Sequence, residues 1–136
     1  MNTDILISIK PIHMANIASR TKTHEFRKYL IPTSVKRMWF YTTAPIQRLQ
    51  YIASIGTAKS PGEISTEDTG LRNEEFNAGG KESRHAYEIV HLYELDEPLS
   101  LRDLIDHGFV KGAPQKYQWV PLEMFNQIPW EQRCVF

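Results

Sequence analysis

Cysteine is nearly absent from this sequence. The single Cys134 in 136 residues excludes an internal disulfide, and no Cys/His spacing has the pattern of a zinc site. The five histidines, at 13, 24, 85, 91 and 107, are scattered. No apolar run approaches the roughly 18 residues of a membrane span. Met1-Asn2-Thr3-Asp4 lacks the basic-then-apolar pattern of a secretory leader. Walker loops, GxGxxG runs, Ser/His/Asp orderings, repeats and low-complexity tracts are all missing. Together these absences lead us to expect one cytoplasmic domain over residues 1–136, with no metal, no cofactor and no membrane partner.

What is present is ordinary in bulk and uneven in detail. Apolar residues at 41% and charged residues at 24% suit a globular chain with one hydrophobic core. The net charge is zero, but residues 1–62 hold nine Lys or Arg against two acids, and residues 63–136 hold seven against fourteen. Two readings stay open: a basic surface fit for phosphates, or two halves that neutralise each other across a mixed sheet.

The pattern of elements points to a β-rich fold. Ile5-Leu6-Ile7-Ser8-Ile9 is a largely buried first strand. Pro11 suits the first position of a short helix carrying Met14, Ile17 and Ala18 and ending near Arg20. Strands are expected at about 24–29, at Val35–Thr43 and at 48–58, with Gly56 a bulge or close approach. Residues 59–84 form a long excursion anchored by Ile64, Leu71 and Phe76, with one short helix at Asn73–Asn77; we expect it to border a cleft and to be less ordered than the sheet. Ala86–Leu95 is a long strand with Tyr87, Ile89, His91 and Tyr93 on one face. Ser100 caps a helix with Asp103 at N3 and Gly108 as its stop; a short strand follows, and Pro121 opens a last helix. Hairpin-like succession with few helices predicts a mainly β, α+β class fold: a largely antiparallel, strongly curved small barrel of about five to seven strands, flanked by helices at 11–19 and 100–107.

The densest chemistry lies in Thr21-Lys22-Thr23-His24-Glu25-Phe26-Arg27-Lys28. Strand alternation would place Lys22, His24, Phe26 and Lys28 on one face and Thr23, Glu25, Arg27 and Tyr29 on the other. Read with Ile5–Pro11 before it and Trp39-Phe40-Tyr41-Thr42-Thr43-Ala44-Pro45 after it, this segment resembles the ASCH domain, a family of the PUA-like superfamily of small β-barrels. The family hallmark is Gly-X-Lys-Thr-X-Glu-X-Arg; Arg20 or Thr21 stands where the glycine is usual, so the turn before Lys22 is expected to be made differently. Ala86-Tyr87-Glu88-Ile89 and Pro114-Gln115-Lys116-Tyr117 also match family habits, and the likeness spans nearly the whole chain.

The resemblance implies RNA or a modified nucleoside as partner, held in a cleft beside the barrel. Some family members are amidohydrolases acting on N4-acetylcytidine through a Lys, a Thr and a Glu, and others have been proposed as ribonucleases. Lys22 takes the place of that Lys, but the Thr aligns near Glu25, so the trio does not transfer whole. As ligand contacts we nominate Lys22, Thr23, Glu25, Arg27, Tyr41, Lys59 and Gln115; as catalytic groups, were the chain an enzyme, Lys22, Glu25 and Tyr41. Each has a plain alternative. Lys22 is a phosphate contact, a base or a solvated lysine. Arg27 is a phosphate fork or the ion-pair partner of Glu25. Tyr41, Trp39 and Trp119 are stacking platforms or core. Gln115 reads a base edge or decorates a loop.

Overall fold

A computed structural model describes residues 2–136. In chain order the elements are β1 (Asp4–Ile9), α1 (Pro11–Ala18), β2 (His24–Arg27), β3 (Arg37–Thr42), β4 (Arg48–Ile55), α2 (Asn73–Asn77), β5 (His85–Ser100), α3 (Leu101–Asp106), β6 (Tyr117–Trp119), α4 (Leu122–Gln127) and β7 (Arg133–Cys134). The strands make one curled sheet in the order β2-β5-β4-β3-β1-β6, with β7 also on β5. The expectation of a mainly β, α+β fold with a curled sheet holds. One pairing departs from it: β1 runs parallel to β3, from Asp4↔Arg37 to Ile9↔Thr42. The reason is visible in composition. Parallel strands sit where both faces are covered, and β1 and β3 are apolar on both. Ile5, Ile7 and Ile9 join Met38 and Phe40 in one core with Met14 and Ile17 of α1. Leu6, Trp39 and Tyr41 point into a second core with Leu104 of α3 and Met124 of α4.

β5 is longer than expected and irregular. It faces β4 along one edge, while its other edge is shared by β2 near its start and β7 further along. A register shift opposite Ser54 and Ile55 breaks the expected face of β5. Tyr87, Ile89 and Leu92 are therefore buried together, whereas His91 is exposed.

Local signals act as read. Ser100 and Asp103 form a reciprocal capping box at the start of α3, and Gly108 takes a φ of +76° just past its end. The turn after α1 carries a finding. Arg20 adopts φ +63°, the left-handed region that favours glycine, so an arginine here holds a conformation that glycine would adopt without strain. Its guanidinium lies 4.3 Å from the Phe136 ring centroid. A side chain there costs about 1 kcal/mol of strain, offset by the cation–π contact and by the lower chain entropy of a non-glycine residue. We therefore expect Arg20→Gly to stay within about 1 kcal/mol of wild type and Arg20→Val to lose about 1–2 kcal/mol in urea unfolding. Loss of more than that in the glycine variant would show that the turn geometry is not what governs position 20.

The 59–84 excursion is tied down at named points. Ile64 and Phe76 are buried with Ala86 and pack on Phe26, while the third expected anchor, Leu71, is exposed. The Asn77 side chain accepts from the Gly62 and Ile64 amides and donates to the Ile64 carbonyl. Leu71 N–H reaches the Thr21 carbonyl, and residue 59 bridges to Ala86.

Candidate functional site: a cationic cleft on β2

β2 is an edge strand whose side chains face two different environments. On one side is a cleft of about 550 Å³, walled by the end of β1, the first turn of α1, β2 itself, and Arg72 and Lys81 of the excursion. Six Lys or Arg line it (10, 22, 27, 28, 72 and 81) against one carboxylate, Glu25.

Glu25 is only 3% exposed and is held from both sides. Lys22 Nζ lies 3.0 Å from Oε1, and Arg27 Nη2 donates to Oε2 at 2.6 Å. Burial by itself would raise this carboxyl, but the charges of Arg27 and Lys22, with their hydrogen bonds, hold it below the usual carboxylate range. The same Arg27 Nη2 donates to the Ser8 carbonyl at 2.9 Å, clasping β2 to β1 where no ladder joins them. Beside it, the Tyr29 ring stacks on Tyr117 at 5.7 Å and carries Lys116 Nζ 4.0 Å from its centroid. Arg27 Nε and Tyr29 Oη are buried without a hydrogen-bond partner, and both residues line the cleft. Burial raises the Tyr29 phenol, with the nearby Arg27 opposing. Phe26 adds an apolar wall, with Lys22 and Lys81 ammonium groups 5.4 and 4.9 Å from its ring centroid.

The pairing of Lys22 with Glu25 corrects the face assignment made from alternation. The β2 ladder begins only at His24. Lys22 still belongs to the turn after α1, its N–H bonded to the Asn16 carbonyl, so the strand period does not reach it.

The other side of β2 holds a closed polar chain. Lys59 Nζ lies 3.0 Å from Glu88 Oε1 and 3.1 Å from His24 Nε2. His24 Nδ1 lies 2.9 Å from Thr23 Oγ1, which donates to Asp68 at 3.0 Å and accepts from Asn73. Burial first, and the Lys59 charge next, push the fully buried His24 down to about 4, so near pH 7 its neutral ring accepts from Lys59 and donates to Thr23. Gly70 packs so closely here that a Cβ on it would sit 2.2 Å from Thr23 Oγ1.

Of the nominated residues, the structure thus brings Lys22, Glu25 and Arg27 into one cleft. It does not bring the rest. Tyr41 is 1% exposed in the second core, because the cover of α3 and α4 leaves its end of the strand no wet face. Trp39 is fully buried and donates to Asp4 Oδ2 at 2.7 Å, and Trp119 packs on the first core. Thr23 and Lys59 belong to the chain around His24, and Gln115 lines a separate hollow among residues 108–118. Lys10, His13, Phe26, Tyr29 and Lys81 were missed. For Lys10 and His13 the signal was there: both lie at the start of the helix after β1, one turn apart.

A curled sheet of mixed pairing with short helices at its flanks is the fold of a solved ASCH structure. The chain has that fold. It superposes on the crystal structure of ASCH from Zymomonas mobilis with a TM-score of 0.67 at 19% identity over 92% of each chain. Serine-to-alanine and tyrosine-to-phenylalanine variants of the same Zymomonas protein give TM-scores of 0.64 and 0.66 at 22% and 20% identity, over 93% and 92% of this chain and 94% and 95% of theirs. No family model and no curated protein matches the sequence. No helix among the described residues is long and apolar enough to cross a membrane, and among them no three His, Cys, Asp or Glu side chains gather as a metal cluster.

Proposed function

We propose that this chain is a single RNA- or nucleotide-binding domain of the cytoplasm, and that its ligand lies in the cleft on β2. The observation that carries the reading is the buried Glu25 between Lys22 and Arg27, in a cleft where cations outnumber carboxylates six to one. Glu25 fixes two cations in place before any ligand arrives, so little side-chain freedom is lost on binding. Phe26 and Tyr29, which line the cleft, offer apolar surface to a base.

A hydrolytic role for Lys22 is the second reading, and the geometry favours it less. Amide hydrolysis needs a proton shuttle and an oxyanion donor beside the attacking group. Thr23 is engaged with Asp68, Tyr41 is in the core, and Glu88 pairs with Lys59.

The test is binding of a mixed-sequence RNA as a function of salt. Lys22→Ala and Arg27→Ala are each expected to weaken binding about tenfold and to lower the log–log salt slope by about one. Lys28→Ala provides a variant with little folding risk, because Lys28 is exposed and pairs only with exposed Glu82. Unchanged affinity and slope in all three would place the ligand elsewhere. Turnover of N4-acetylcytidine by wild type but not by Lys22→Ala would establish the hydrolytic reading instead.

A further inference from the structure

The cleft is lined by one histidine. His13, part-buried in the first turn of α1, faces Lys10 from its own element, Lys22 and Glu25 from the β2 segment, and Lys81 from the loop after α2. Among the described residues neither Lys10 nor Lys81 makes an ion pair. Glu25, the carboxylate that lines the cleft, is already bonded to Lys22 and Arg27, and Glu75, which acts on Lys81, is paired with Arg72. This corner of the cleft therefore holds more positive charge than the protein itself neutralises, around an imidazole that can gain one more.

We propose that His13, with Lys10, Lys22 and Lys81, forms a phosphodiester subsite in which the imidazole takes up a proton from solvent as the phosphate binds. This rests on the nucleotide-binding reading of the cleft and specifies which group of the ligand enters which corner. No bond in the ligand is made or broken; the only change is N–H formation on His13, and the imidazolium then donates to a phosphate oxygen. In the free protein, burial and then Lys22 hold His13 below its ordinary value, with Lys10 and Lys81 adding and Glu25 opposing. A bound phosphate supplies the counter-charge the subsite lacks and reverses that bias. The complex therefore binds more protons than the free protein, and affinity rises as pH falls through the histidine range. A phosphodiester keeps its single charge throughout that range, so His13 is the group whose titration is read.

The experiment is calorimetric titration with a dinucleoside monophosphate, whose one phosphate is a diester, between about pH 8 and about pH 5.5 in two buffers of different ionisation enthalpy. Wild type is expected to gain about tenfold in affinity over that range, the limit for one pKa unit of linkage, with net proton uptake. In His13→Asn the pH dependence and the proton uptake disappear. His13→Gln repeats the test with a different side-chain geometry, and thermal melts confirm that both variants are folded. If folded His13 variants keep the wild-type pH profile and proton uptake, the subsite is overturned and the nucleotide reading stands. If the dinucleotide binds wild type at no pH in the range, the nucleotide reading and the subsite fall together.

Discussion

Replacing Glu25 with alanine is expected to lower stability by about 3–5 kcal/mol, the usual consequence of removing one partner from a buried ionic group. Lys22 is 6% exposed, and the Arg27 side chain is 18% exposed. Without the carboxylate these two cations would repel each other in a site that offers them little water. In a chain of this size the loss corresponds to a fall in Tm on the order of 10–20 °C. Glu25→Gln keeps an acceptor and the same shape, so it should lose less. Paired urea unfolding curves for the two variants decide the matter. A loss below about 1 kcal/mol in Glu25→Ala would mean that the cluster is hydrated in solution, and that Glu25 does not hold its neighbours in place.

Acidification is expected to have an effect of similar size, through His24. Its folded value lies near 4, below the ordinary 6.5 of an exposed histidine. Between those two values the unfolded chain binds a proton that the folded one refuses. The stability contributed by neutral His24 is therefore fully present above about pH 6.5, falls as pH drops toward 4, and has gone below that. The shift corresponds to about 3 kcal/mol. Carboxylates also weaken the fold in this range, so the readout is a difference. Wild type should lead His24→Gln in urea stability near pH 7.5, and that lead should shrink by about 3 kcal/mol by pH 4. A lead that stays constant with pH would show that His24 takes up its proton as readily in the folded chain as in the unfolded one.

What the sequence revealed depended on whether the signal was local. The capping box at Ser100 and Asp103, the five-residue helix at Asn73, and the apolar runs of β1 and β3 are written in adjacent residues, and all are read from them directly. The parallel pairing of β1 with β3 is not, because periodicity says which face is buried but not which strand lies alongside. The register shift in β5 opposite Ser54 likewise depends on two strands at once, which is why His91 was placed with Tyr87 and Ile89 although it is exposed. The site follows the same rule. Lys22, Glu25 and Arg27 stand out because they crowd six residues. Lys59, Gln115 and Tyr41 were nominated singly, and their surroundings are set by elements distant in the chain. Lys81 reaches the cleft from the excursion, and no linear pattern connects it to β2.

The order of pairing in the sheet bears on how this molecule assembles. The ladder partner of β2 is β5, and the outer neighbour of β1 is β6, near the far end of the chain. Neither can be satisfied by a neighbouring hairpin, so most of the ordering entropy is spent before these contacts form. Chains dominated by such distant pairings reach the native state in milliseconds to seconds rather than microseconds. During synthesis, residues 22–27 leave the ribosome well before His85–Glu88, and until β5 arrives their charges remain hydrated and mobile. The strand that carries Glu25 and Arg27 thus gains its ladder partner only once β5, in the second half of the chain, has been made.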